Sequence, residues 1–246
     1  MRTAYATPVA DAALAPGPSA RRASTPDDRL CPISHRCDAA QGCVARALTH
    51  SNGRLYEVQL PSGVVRELAP VRAFTDIALH PDRTLYAVSS DGVLWHLDDV
   101  TGFASIIAAT HHPMTALDAA PDGTLYAAGR EGLFRVDRAT GTAAFVASFP
   151  TGLEASGDLA FLGGRLLASA RRSPNSLDAL VEFDVARGEG RVVGEIGARC
   201  VWGLAALGAT LYGLTCEGSV LVIDAGTGFG REVAVGAAMF NGATAR

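Results

Sequence analysis

The sequence predicts an all-β fold: a five-bladed β-propeller of four-stranded blades, with the C-terminal strand completing the first blade. Three observations carry this. One segment recurs, as TLYAVSSDGVLWHLDDVTG (84–102), TLYAAGREGLFRVDRATG (124–141), RLLASA with LVEFDVARG (165–188) and TLYGLTCEGSVLVIDAGTG (210–228). Its strand-ending acids, Asp98, Asp137, Asp184 and Asp224, lie 39, 47 and 40 positions apart, each followed four residues on by glycine. A fifth, incomplete copy at the start and a spare strand at the end complement one another. Units of about 40 residues that cannot bury their own faces stack radially.

Residues 1–43 stand outside the repeats and read as a tail, with the propeller over 44–246. The tail carries Pro8, Pro16, Pro18 and Pro26 and shows no periodicity. Its first 22 residues have one early arginine and an apolar stretch broken by Pro8, Asp11 and Pro16, a poor secretory signal. Cys31, His35, Cys37 and Cys43 place three thiols and an imidazole within thirteen residues, a donor set for tetrahedral zinc at a spacing that matches no familiar zinc knuckle.

The first blade follows. ARALTHSNGRLYEVQLPSGVVRELAPV (45–71) matches the second to fourth strands of a unit, with Gly63 aligned to Gly102, and nothing before it matches the innermost strand. In the second blade DIALH, TLYAV, VLWHL and ASIIAA are strands a to d, separated by Pro81-Asp82, Asp91-Gly92 and Thr101-Gly102. The third repeats this order. The fourth carries an insertion, RRSPNSLD (171–178), between strands b and c, which a turn tolerates cheaply. Across blades the c strands VLWHL, LFRV and VLVI are nearly continuous apolar runs, the pattern of a sheet packed on both faces. In the fifth blade Cys200 opens strand a and Cys216 closes strand b, so the hairpin turning near Gly208-Ala209 sets them opposite one another, within disulfide reach if the register is right. Inert buried thiols are the alternative; a bridge would fit an oxidising, extracellular or periplasmic, setting. Finally Phe240-Asn241-Gly242-Ala243-Thr244 sits where GDLAF and WGLAA sit in their units. That leftover strand closes the ring and removes two open edges.

Composition narrows the function. The 246 residues, 48% apolar, suffice for one sizeable core. All the basic residues are arginine, interspersed with acids at net charge −4, so no basic footprint for nucleic acid or anionic membrane exists. No apolar run is long enough to span a bilayer.

At LFRVDRATG (133–141) and VLVIDAGTG (220–228), after LYAAGREG and LYGLTCEG, the repeats resemble bacterial PQQ-like (quinoprotein-like) β-propeller repeats over roughly 44–246. The resemblance implies a ring of blades and no particular activity. Cofactor-using members of that superfamily have larger rings with tryptophan docking motifs and a calcium site, whereas this chain has only Trp95 and Trp202. No organic cofactor is expected.

Catalytic motifs are absent from the sequence: no G-x-S-x-G, no H-E-x-x-H and no phosphate loop. Asp76, Asp118 and Asp158 fall on or beside inner strands, where they line a wet central channel or, if suitably separated, serve as the acid pair of a glycoside hydrolase. The leading expectation is a non-catalytic, lectin-like or protein-binding propeller. Its b–c and d–a loops share one face and gather Arg171, Arg172, Asn175, His111, His112, Glu154, Trp202 and Phe240, with Phe149, Asp178 and Arg199 nearby. A glycan or a protein is the expected partner. The alternative is a structural subunit of a secreted or particle-like assembly, tethered through residues 1–43.

Overall fold

The computed structural model describes residues 35–38, 42–236 and 238–246, with side chains from residue 44 onward; the described residues form strands and turns, with no helix among them. Blade 1 contains β1 (His35–Asp38), β2 (Gly42–Ser51), β3 (Arg54–Leu60) and β4 (Val65–Pro70). Blade 2 is β5 (Asp76–Leu79), β6 (Leu85–Val88), β7 (Val93–Leu97) and β8 (Ala104–Ala109), and blade 3 is β9 (Ala116–Ala119), β10 (Leu125–Gly129), β11 (Gly132–Val136) and β12 (Ala143–Ala147). Blade 4 is β13 (Glu154–Leu162), β14 (Arg165–Arg171), β15 (Ala179–Asp184) and β16 (Glu189–Glu195). Blade 5 is β17 (Val201–Leu207), β18 (Thr210–Thr215), β19 (Ser219–Ile223) and β20 (Gly230–Val235), after which β21 (Asn241–Ala245) returns to blade 1.

Closure is by β21 lying antiparallel to β2, with Ala47 opposite Ala245 and Leu48 opposite Thr244. The Thr49 hydroxyl donates to the Gly242 carbonyl at 2.7 Å. Beyond the strand, Arg246 pairs with Glu57 of blade 1 at 3.1 Å and Asp99 of blade 2 at 2.9 Å, so the last residue bridges two blades. Burial alone would raise the Glu57 carboxyl, but Arg66, Arg46 and Arg246 hold it below its ordinary value. β1 also pairs with β2, Cys37 opposite Cys43, a strand for which residues 1–43 carry no periodic signal.

Each unit is too thin to hide its own side chains, so the core divides into five clusters, one between each pair of neighbouring blades. The cluster between blades 5 and 1 contains Leu214 and Val220 on one side, Ala47 and Val58 on the other, and Phe240. This explains the unbroken apolar c strands, which are covered on both faces.

The recurring acid and glycine have separate tasks. Asp98 Oδ1 accepts from the amides of Val100 and Thr101, and Asp137, Asp184 and Asp224 do the same in their turns. Backbone hydrogen bonds hold all four carboxyls below their ordinary value. The glycine packs against the preceding blade's outer strand. Gly102 has φ +74°, and a Cβ there would lie 1.8 Å from the Pro70 carbonyl oxygen, whereas at Gly163, φ +58°, it would meet nothing within 4 Å. Gly163→Ala is therefore expected to cost only the left-handed backbone term of about 1–2 kcal/mol. Gly102→Ala should cost that plus displacement of blade 1, visible as a clearly lower urea midpoint; equal midpoints for the two variants would mean the blade contact contributes nothing.

Candidate functional site

Residues at or just before the starts of the inner strands, with the end of β14, gather at the b–c/d–a loop face. They line a pocket of about 260 Å³ formed by Phe74, Thr75, Thr115, Ser156, Gly157, Arg171, Trp202 and Asn241. Three of these strands are irregular here: register shifts fall between Ala155 and Leu159, between Val201 and Gly203, and where Thr49 and His50 face Ala243 and Asn241. Such bulges re-aim side chains, and they turn Ser156, Trp202 and Asn241 toward the axis. Close approach is the condition for this. A Cβ on Gly157 would stand 2.3 Å from the Trp202 Cα.

The three hydroxyls of the pocket direct their protons into the protein. Thr75 donates to the Met114 carbonyl at 2.7 Å, Thr115 to Ala128 at 3.4 Å, and Ser156 to Asp178 Oδ2 at 2.8 Å. Each hydroxyl has only one proton, so each keeps lone pairs for the pocket. Asn241 Oδ1 is buried without a hydrogen-bond partner, out of solvent contact. Donors line it as well: beside the Asn241 amide and the Trp202 indole N–H, Arg171 commits only Nε, to Glu154 Oε1 at 3.3 Å, leaving its terminal nitrogens without a hydrogen-bond partner among the described residues. Behind Ser156, Asp178 also accepts from the Val201 amide, and burial raises its carboxyl to about 6.

Below this pocket the axis is closed. Asp76 and Asp158 are fully buried, burial raises both carboxyls well above the ordinary range, and the two share a hydrogen bond. Their remaining acceptor capacity ties strands together: Asp76 Oδ2 accepts from the Leu117 amide at 2.6 Å, and Asp158 Oδ2 accepts from Leu204 and Ala243 at 2.6 and 3.0 Å. Asp118 takes the Phe161 amide at 2.8 Å, and Thr244 takes that of Leu79 at 3.0 Å. Inner strands have no neighbour on their axial side, so their free amides are met by these side chains instead. The expected wet channel is thus replaced by a belt of carboxylate staples. Asp76 and Asp158, in direct contact, also lack the separation of 5 Å or more that a glycosidase acid pair needs. Asp118 opens on the far side into a separate cavity of about 160 Å³ with Leu79, Phe161 and Thr244, and burial raises it to about 7.

The residues expected at the loop face divide. Arg171 and Trp202 line the pocket, and Glu154 braces Arg171. Arg172 and Asn175 are exposed on the blade 4 insertion, away from the pocket lining. At the blade 2–3 rim His111 is exposed, while His112 pairs with Glu131 at 2.7 Å and stacks on Phe134. Phe240 offers no surface, being fully buried because it fills the seam between blades 5 and 1. Phe149 and Asp178 turn inward as well. Cys200 and Cys216 form the expected disulfide, Cα atoms 5.6 Å apart, beside the Arg199–Glu217 pair at 3.4 Å. Cys31 lies outside the described residues, as do the side chains of His35, Cys37 and Cys43. Among the described residues no His, Cys, Asp and Glu side chains group as a metal site, and no helix is long and apolar enough to cross a membrane.

Phe74, Thr75, Thr115, Ser156 and Asn241 were not among the sequence candidates. Aligned Ser156-Gly157, Trp202-Gly203 and Asn241-Gly242, a polar or aromatic residue before an in-strand glycine, is the signal that marks three of the pocket's positions.

No protein-family model matches the chain, and no curated protein matches it. Among solved structures it is similar to BamB from Moraxella catarrhalis, with 22% identity and a TM-score of 0.38 over 78% of this chain and 58% of that one. It is also similar to a gluconolactonase from Xanthomonas campestris, with 12% identity and a TM-score of 0.46 over 80% and 86% of the two chains. A structural-genomics target given as a candidate gluconolactonase matches with 16% identity and a TM-score of 0.53 over 68% of this chain and 66% of its own. The chain thus spans little more than half of the BamB structure. These likenesses, like that to PQQ-like repeats, are of fold.

Proposed function

We propose that this chain is a binding propeller that recognises a glycan at its loop face, seated on the axial pocket. The observation that carries this is the pocket's lining: Thr75, Thr115 and Ser156, from three blades, present hydroxyl lone pairs beside Trp202, and hydroxyl groups are the donors that satisfy such a surface while a sugar's apolar face covers an indole. Carboxylates near the axis are engaged in holding inner strands, which leaves recognition as the task of the open end. Arg171 adds a cationic donor at its edge, and Arg172 lies exposed on the neighbouring insertion, both suited to an acidic glycan.

A glycan array probed with the purified chain tests this. Binding is expected, and the Arg171→Ala/Arg172→Ala double variant should weaken it while leaving the melting temperature close to wild type, since partly exposed surface changes stay within about 0.5–1 kcal/mol. Ala209→Arg, in the exposed a–b turn of blade 5 on the opposite face, should bind normally. An array with no bound glycan, or binding lost in Ala209→Arg and kept in the double variant, overturns the assignment.

A further inference from the structure

We infer that the axial pocket seats one acidic monosaccharide unit, a uronate, with its hydroxyls on the acceptor floor and its carboxylate on Arg171. This rests on the glycan reading above and specifies what enters the pocket. Size sets the first limit: about 260 Å³ amounts to roughly nine water volumes at about 30 Å³ each, room for one ring and not for a chain segment. A longer glycan is therefore held by its end.

Polarity sets the second. Thr75, Thr115 and Ser156 have spent their protons on Met114, Ala128 and Asp178, so three hydroxyl oxygens present lone pairs at the floor. Charge sets the third. Arg171 is held in place through Nε by Glu154, while its terminal nitrogens are unclaimed, and it lines the pocket together with Trp202. A guanidinium fixed at one edge and open at its fork is arranged to take a carboxylate in bidentate fashion. An ammonium ligand would satisfy the floor equally but would meet Arg171 as a like charge. Floor and edge together select a polyol that is also an acid.

The test uses D-glucuronate and D-glucose as probes. The chain contains two tryptophans, so Trp202 emission is followed in a Trp95→Phe background. Glucuronate should quench saturably, and glucose should bind about tenfold or more weaker, the factor equivalent to one charge-assisted pair at 1.4 kcal/mol. Arg171→Gln should bring glucuronate down to the glucose level without changing glucose. Thr115→Val, which removes a lone-pair donor at constant shape, should weaken both sugars alike, read also by chemical-shift titration so that fluorescence is not the sole witness. Equal affinity for both sugars in wild type overturns the carboxylate assignment. No saturable binding of either sugar, with array binding still dependent on the loop face, overturns the single-uronate seat and leaves the glycan reading standing. If array binding also fails, both fall.

Discussion

Deletion of residues 240–246 is expected to leave a chain that cannot complete its ring. The loss has three parts. The inner strand of blade 1 goes, with several ladder hydrogen bonds at about 1 kcal/mol net each. Phe240 goes from the blade 5–1 seam, and emptying a buried phenylalanine site costs about 3–5 kcal/mol by itself. Arg246 goes too, leaving Glu57, which is 1% exposed at its side chain, with Arg46 and Arg66 alone. Against a total of roughly 5–15 kcal/mol this exceeds what a domain of this size tolerates. The truncated chain should elute as aggregated or expanded material in light scattering and lack a cooperative thermal transition. A synthetic FNGATAR peptide should partly restore that transition, because β2 is left with an edge that one strand fills. A monomer with an unchanged melting temperature would show that the ring does not depend on closure by β21.

Why closure was legible in the sequence while the plug and the pocket were only partly so comes down to what repeats. Asp98, Asp137, Asp184 and Asp224 perform one local task, capping a turn with their own neighbours' amides, so the same letters recur at the same spacing. The missing first strand and the leftover last one were visible against that register. The staples obey a different rule. Asp76 and Asp158 each serve amides of other blades, 41 to 85 residues away in sequence, so nothing in their local context distinguishes a buried staple from a channel-lining acid. Phe240 was misplaced for the same reason: the start of the leftover strand put it at the loop face, but the side chain's direction depends on the seam between blades 5 and 1. Ser156 and Asn241 face the axis only because of bulges, and a bulge's sole trace in the letters is a glycine inside a strand.

The largest single-residue effect is expected at Asp158. Its carboxylate takes the amides of Leu159, Leu204 and Ala243, joining blades 4, 5 and 1 at the axis. Asp158→Ala strands three buried donors, and at about 1–3 kcal/mol each the loss is on the order of 3–6 kcal/mol once partial relaxation is allowed. Asp158→Asn keeps one acceptor oxygen and should cost distinctly less. Removing the carboxyl changes the pH behaviour as well. Asp76, Asp158 and Asp118 hold protons in the fold that the unfolded chain releases near pH 4, so their contribution is complete below that pH and is lost as pH rises through their raised folded values, about 7 for Asp118. Buried His50 acts in the opposite sense. Desolvation lowers it to about 4, so the stability tied to its neutral form is present above pH 6.5 and is lost as pH falls toward 4. Between pH 4 and 6.5 the two trends oppose one another, and above 6.5 His50 no longer offsets the carboxyls. Wild type should therefore lose melting temperature from pH 6.5 to 8.5, and Asp158→Asn and Asp118→Asn should each flatten that decline. A wild-type melting temperature that rises over this interval, or an Asp158→Ala variant as stable as wild type, would show that the buried carboxyls are not what holds the inner strands together.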